Sequence, residues 1–154
     1  MTYPMDEEAA RRAQIVQNMR ERTGVDESMI NRLVRAFYGR IQQDPLLGPI
    51  FDARIKDWEP HLQRMCHFWS SVILSSGVYH GQPMRMHLPL PIDAEHFDQW
   101  LALFESTARE LFDDAIADCF VTPARRIALS LELGIASAHG ELLVRGERFR
   151  RTTA

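Results

Sequence analysis

The sequence predicts an all-α fold, and three observations predict it. Apolar residues recur at helical spacing along four long stretches, the stretches are separated by glycine and proline, and no segment alternates with the period of two that a strand requires. The four main helices fall into two sequential pairs. At 154 residues the chain is long enough to bury one proper core.

Residues 6–20 form a polar, charge-alternating helix with few apolar anchors, expected to be a loosely attached extension ending at Gly24. The first main helix runs from about Asp26 to Gln43, with Ile30, Leu33, Val34, Phe37, Tyr38 and Ile41 on one stripe. Asp44-Pro45 closes it, and Leu46 to Phe51, containing Gly48 and Pro49, is a turn-rich corner. The second main helix starts at Asp57 as N-cap, with Pro60 in its first turn, where the missing N–H costs nothing. Trp58, His61, Leu62, Met65, Phe68, Trp69, Val72 and Ile73 share one face, opposite Gln63, Arg64, His67, Ser70 and Ser71. His61 is therefore expected inside and His67 outside.

From Ser75 to Asp93 the pattern breaks, and glycines and prolines allow one or two helical turns around Pro83–Leu88. Long loops in small domains are usually functional or disordered. This one carries Tyr79, Met84, Met86, Leu88 and Leu90 and should be packed. The third main helix begins near Asp93, with Phe97, Trp100, Leu101, Phe104, Ala108 and Leu111 on its stripe. Thr122 is expected to cap the fourth, with Pro123 at its first position and Ile127, Leu131, Ile135, Ala138 and Leu142 continuing it. The division is thus an N-terminal helical extension over 1–25, a folded domain over 26–144 and a basic polar tail over 145–154. A disordered, solubilising role is expected for that tail.

Composition narrows the function classes. A net charge of −3 gives no overall field toward nucleic acid or an anionic membrane. The acidic N-terminus lacks a signal core, and no apolar run approaches the roughly 20 residues of a membrane span, so a cytoplasmic location is expected. Cys66 and Cys119 belong to no Cys-x-x-Cys pair, which removes zinc-ribbon, thioredoxin-like and covalent c-type haem readings. No zincin, nucleophile-elbow, P-loop or dinucleotide motif is present. Asp113, Asp114 and Asp118 cluster as at a solvated helix end rather than as a carboxylate pair.

The histidines remain. His80, His96 and His139 sit on loops or helix flanks, and His67 on a polar face, where a solvated surface role is the simplest reading. His61 and His87, 26 positions apart, are harder to dismiss. His61 opens an apolar stripe, and His87 lies between Met86 and Leu88 in the proline-fenced segment. Taken singly, each suits a core-edge histidine bonded to a carbonyl as well as a metal ligand. Together they suggest iron in a flat prosthetic group, since neutral imidazole holds haem iron in helical pockets. Tyr38 and Trp100 are donors suited to the opposite face, though each alone also suits a core aromatic, which for Phe68 and Trp69 is the preferred reading.

The runs Phe37-Tyr38, Asp44 to Phe51, Trp58-Glu59-Pro60-His61, Phe68-Trp69, Tyr79 to Pro83, His87-Leu88 and His96 to Leu101 occur in the order and spacing of group III truncated haemoglobins. The chain resembles that group from about Ile30 to Gly140. It lacks the paired-glycine motifs of the other two groups. The resemblance implies a truncated globin domain over 26–144, a two-over-two helical sandwich around a b-type haem (iron protoporphyrin IX). It implies His87 as proximal ligand, Tyr38 and Trp100 as distal donors, and His61 as a distal histidine and gate. It implies Phe51 as the wedging corner residue, Met65 as distal wall, Trp69 beside the haem and Arg85 at a propionate. Tyr79 and Met84, in the same loop, are taken as haem-contacting.

The expected function is reversible binding of oxygen or another diatomic gas, CO and NO included. The rival is a peroxidase-like or nitric-oxide-detoxifying redox enzyme with peroxide as substrate and a reductase as partner. A haem-free helical adaptor is disfavoured, because it would not need His61 and His87 inside. Protonation of His61 near pH 6–7 is expected to open the gate.

Overall fold

In the computed structural model, which describes residues 4–151, all regular structure is helical. The elements are α1 (Pro4–Thr23), α2 (Glu27–Gln43), α3 (Gly48–Arg54), α4 (Trp58–Leu74), α5 (Pro83–His87), α6 (Ala94–Leu111) and α7 (Asp114–Ala138). Residues 1–3 and 152–154, the outer ends of the expected extension and tail, lie outside the described residues. Helix α2 packs on α4 and α6 packs on α7, with α2 also crossing α6. These are the two helix pairs that the sequence led one to expect, and the short α5 rests on α7.

Amphipathic stripes build the larger core. Ile30, Leu33, Val34, Phe37, Tyr38 and Ile41 are the buried residues of α2, as the periodicity demands. They meet Trp69, Ile73 and Leu74 of α4, Phe104 and Ala108 of α6, and Phe120, Val121 and Ala124 of α7. A smaller cluster around Phe97, Ile135 and Phe149 closes the other end and takes in Met84 and Leu88.

Capping explains several boundaries. Asp26 accepts from the Met29 N–H, and Asp93 accepts from the Glu95 N–H while His96 returns a bond to the Asp93 backbone. Asp57 holds the N-cap position of α4 but makes no side-chain cap bond.

Several features depart from the sequence-based expectations, among them the end of the last helix, which stops at Ala138 and leaves Leu142 exposed beyond it. Helix α7 starts at Asp114, capped by the Asp113 carboxylate on the Ile116 N–H, so Thr122 is no cap and Pro123 lies in the helix interior. An interior proline forfeits a ladder bond at a cost of about 3 kcal/mol. Burial of Phe120, Val121 and Ala124 on either side of it offsets that cost. The corner after Asp44 contains a helix, α3, because Pro49 occupies a first-turn position where its lost N–H is harmless. Ser70 is buried rather than outward, its hydroxyl paired with Ser76 at 2.8 Å. Helix α1 packs on α4 through Val16 and Met19, so it is docked along that flank.

The tail is the largest departure. Phe149 is 2% exposed, and Arg148 forks onto Glu132, itself 2% exposed, at 2.8 and 2.9 Å. The described part of the tail is therefore an ordered segment of the second core. A buried Phe149 beside an Arg148 that is ion-paired with Glu132 is incompatible with a free solubilising end.

Candidate functional site

The site is built where α2, the α3 corner and the start of α4 converge, and α5, which packs on α7, carries His87. Tyr38 comes from the buried stripe of α2 and is 5% exposed. Phe51 comes from α3, and its corner is locked by Asp44. One Asp44 oxygen accepts the Leu46 and Leu47 N–H groups, and the other accepts from Gln99 of α6 at 2.7 Å. His61 sits one turn into α4.

The Tyr38 ring meets His61 edge-on at 5.1 Å, Phe51 at 5.9 Å and Trp58 at 6.1 Å. Trp58 in turn meets His61 edge-on at 5.8 Å and stacks on Phe51 at 6.4 Å. The result is an aromatic pocket with one phenol and one imidazole inside it. Trp58 was not among the sequence-based site residues. Its place in the Trp-Glu-Pro-His run, three residues before His61, was the available signal, since positions three apart share a helix face.

Burial dictates the chemistry of both polar groups. Desolvation alone raises the Tyr38 phenol above its ordinary range, so it remains a protonated donor through the whole physiological interval. Desolvation, then the Arg64 and His87 charges, push His61 down to about 4. The ring is therefore neutral at pH 7. The expected titration near pH 6–7 is displaced to the acid side because a charged imidazole is costly among these aromatic rings. His61 Nε2 is buried without a hydrogen-bond partner among the described residues. Such an orphan is unusual in a core and leaves Nε2 free to take a partner.

His87 closes α5. Its Nδ1 lies 2.6 Å from the Pro83 carbonyl oxygen, which can only accept, so Nδ1 carries the proton and donates. In a neutral ring that leaves Nε2 as the lone-pair nitrogen. Burial lowers the His87 pKa, with the bond to Pro83 opposing it more weakly, which favours the neutral, ligand-competent form.

The other histidines are differently disposed. His67 and His80 are exposed, and His139 is an exposed ring bonded to the Ile135 carbonyl at the end of α7. His96, expected to be solvated, is instead a half-buried cap whose Nδ1 accepts the Asp93 N–H. No cluster of three or more His, Cys, Asp or Glu side chains gathers to hold a bare metal ion among the described residues.

The remaining sequence-predicted positions divide. Trp100 is half-buried and one ring removed from Tyr38: Phe37 contacts both, at 5.1 and 5.2 Å. Trp69 is buried and stacks on Phe104 at 5.0 Å, which stacks on Trp100 at 5.1 Å, so Trp69 backs the pocket through the core. Met65 packs against the same core from α4. Tyr79 is half-buried, meets Phe68 edge-on at 5.2 Å and covers Gly81 so closely that a Cβ there would overlap its phenol. Met84 lies against Gly134 of α7, where a Cβ would overlap the thioether, and this close approach seats α5. Arg85 is exposed on the outer side of α5.

Comparisons with known proteins converge on one family. The family model described as bacterial-like globin matches residues 18–122. A group 3 truncated hemoglobin of Campylobacter jejuni is 32% identical over 109 residues, covering 68% of this chain and 86% of that protein. A group 2 truncated hemoglobin of Bacillus subtilis is 34% identical over 83 residues, covering 51% of this chain and 61% of that protein. The crystal structure of group III truncated hemoglobin from Campylobacter jejuni superposes with a TM-score of 0.67 at 31% identity, over 70% of this chain and 88% of that one.

Proposed function

We propose, for a chain that belongs to the bacterial-like globins as a group III truncated haemoglobin, that it holds a b-type haem on His87 and binds oxygen or another diatomic gas reversibly. Globin-type haem ligand binding comes with the family. What supports the finer reading is a complementary pair of imidazoles. One has its Nδ1 committed to a carbonyl and its Nε2 lone pair available, and the other has a buried, unpartnered Nε2 within an aromatic pocket. That donor set fits haem: one neutral imidazole, oriented by a backbone carbonyl, would hold the group, and the polar groups Tyr38 and His61 would serve its small ligand.

When bound, the haem supplies an iron with one coordination position for imidazole and one for a small ligand. The chain's own residues do the rest. Pro83 fixes the tautomer and orientation of His87. Phe51 and Trp58 exclude water from the pocket they wall. Tyr38, always protonated, donates a hydrogen bond to a partly anionic ligand, and charge-assisted bonds of that kind are the strong ones. Neutral His61 is able to donate or accept at Nε2, and a turn of its side chain out of the aromatic pocket would let it act as a gate. Trp100 acts on the same side through Phe37. Met65 and Trp69 supply apolar backing, Met84 seats α5, Tyr79 borders the segment leading into it, and the exposed cation Arg85 on α5 is the residue assigned to a propionate.

An optical spectrum of the ferric, ferrous and CO-bound forms tests this directly. A Soret band with a five-coordinate histidine-ligated ferrous state and a stable CO adduct supports the proposal, and a chain that takes up no haem overturns it. Turnover with peroxide, or with nitric oxide and a reductant, separates the redox-enzyme alternative from simple ligand binding.

A further inference from the structure

The C-terminal segment, outside the sequence match to the family model, is bonded to the stretch that follows His87. Two arginines do this in different ways. Arg148 is anchored from below: its fork spans Glu132 of α7, and the same guanidinium reaches Asp98 of α6 at 2.7 Å. The anchor holds Phe149 in the second core, with the Phe149 N–H donating to Glu132 at 3.0 Å. Arg151, whose guanidinium lies 5.6 Å over the Phe149 ring, is thereby aimed at the 88–94 stretch.

Its contacts there are specific. Arg151 Nη2 donates to the Leu90 carbonyl at 2.9 Å and Nε donates to the Ile92 carbonyl at 3.1 Å. Its backbone N–H donates to Asp93 at 3.0 Å, and the Phe149 carbonyl accepts the Ala94 N–H at 2.8 Å. The Leu90 N–H in turn donates to the His87 carbonyl at 3.0 Å. Leu90 therefore links the two: its carbonyl is held by the Arg151 side chain and its N–H by the backbone of the histidine. Two carbonyls two residues apart match the fixed fork of a guanidinium and not the single point of an ammonium. Within the 88–91 stretch Leu88 and Leu90 pack on the second core, but Pro89 and Pro91 are exposed and have no N–H to donate, so the Leu90 carbonyl and the Ile92 carbonyl beyond it are held by Arg151.

We propose that residues 148–151 form a strap in which Arg151 is a positioning residue for His87, setting how firmly the α5 segment presents its imidazole. The proposal rests on His87 as the haem ligand only for its second consequence. Its first consequence is a property of the polypeptide alone.

Arg151→Met keeps the stem over Phe149 and removes every side-chain donor, and Arg151→Lys keeps the charge and loses the fork. Arg150→Gln, an exposed neighbour, serves as control. In the apo-protein, hydrogen exchange at the Leu90 and Ala94 amides should quicken about tenfold or more in Arg151→Met, with α2 and α4 amides unchanged, as local rather than global opening requires. Arg151→Lys should recover only part of the protection. In the haem-loaded protein, the Fe–His stretching band of Arg151→Met should shift or broaden, and Arg150→Gln should match wild type in both measurements. Unchanged exchange at Leu90 and Ala94 overturns the strap. Faster exchange with an unmoved Fe–His band overturns its positioning role. A chain in which His87→Gly still shows that band would instead overturn the haem-ligand assignment, and the apo exchange result would stand apart from it.

Discussion

Replacing Tyr38 by Phe deletes one hydroxyl and leaves the ring among Phe37, Phe51, Trp58 and His61. Its consequence is calculable because only one property changes. Burial keeps the phenol protonated, so in the native chain it is a donor at every working pH. A hydrogen bond to a charged or partly charged acceptor contributes about 1.5–3 kcal/mol, against about 1 kcal/mol for a neutral one. At about 1.4 kcal/mol per decade, oxygen dissociation should accelerate between about tenfold and a hundredfold. CO, far less polar when bound, should dissociate at nearly the native rate. The apo-protein should lose no stability, since neither a charge nor a hydrogen bond contributes to the Tyr38 shift and the hydroxyl is simply desolvated. Stopped-flow displacement of oxygen and CO, with denaturant unfolding of the apo-protein, measures all three. Equal oxygen dissociation in Tyr38→Phe, Trp100→Phe, the double mutant and wild type would refute the reasoning.

Other outcomes follow from the same geometry. His61, pushed down to about 4, should be neutral until the pH falls through that value, so CO association should quicken there and not near pH 6–7. His61→Ala should be fast at every pH, and coincident pH profiles for the two proteins would remove the gate. The sign for stability follows from linkage: with the folded pKa below the unfolded one, the folded chain binds fewer protons between about pH 6.5 and 4, so stability is lost as pH falls through that window. Apo His61→Ala should therefore show a shallower acid-side loss than wild type. At Gly134, substitution by Val should cost about 1–3 kcal/mol through overlap with Met84 and lower haem retention, and adding Met84→Ala should recover part of both. An undiminished melting temperature in Gly134→Val would contradict the seating of α5.

Much of the fold was legible because its helices bury one face. The stripe of α2 reads directly from Ile30 to Ile41, and Asp26 and Asp93 mark starts through short-range capping that spacing reveals. What escaped were features decided by distant partners. Pro123 reads as a helix start because local chemistry favours it there, yet packing of Phe120, Val121 and Ala124 carries the helix through it. Ser70 looks like a surface residue until Ser76 returns to satisfy its hydroxyl. Phe149, a lone aromatic among arginines, has no periodicity to betray its burial, which depends on Glu132 seventeen residues earlier. The site shows the same split. His61 on an inward stripe and His87 in a proline-fenced turn were visible as residue types in suspicious places. The bond from His87 to Pro83 and the ring contacts of Trp58 needed the fold.

The central claim is that His87 Nε2 is the nitrogen that holds the haem iron. His87→Gly removes the ring and leaves α5 its backbone, so free imidazole can enter the space. Resonance Raman of the ferrous protein should show the Fe–His band in wild type, its loss in His87→Gly with most haem retention, and its partial return with added imidazole. His80→Gly and His67→Gly, at exposed rings, should keep the native band. A native ferrous spectrum and Fe–His band in His87→Gly would contradict the account.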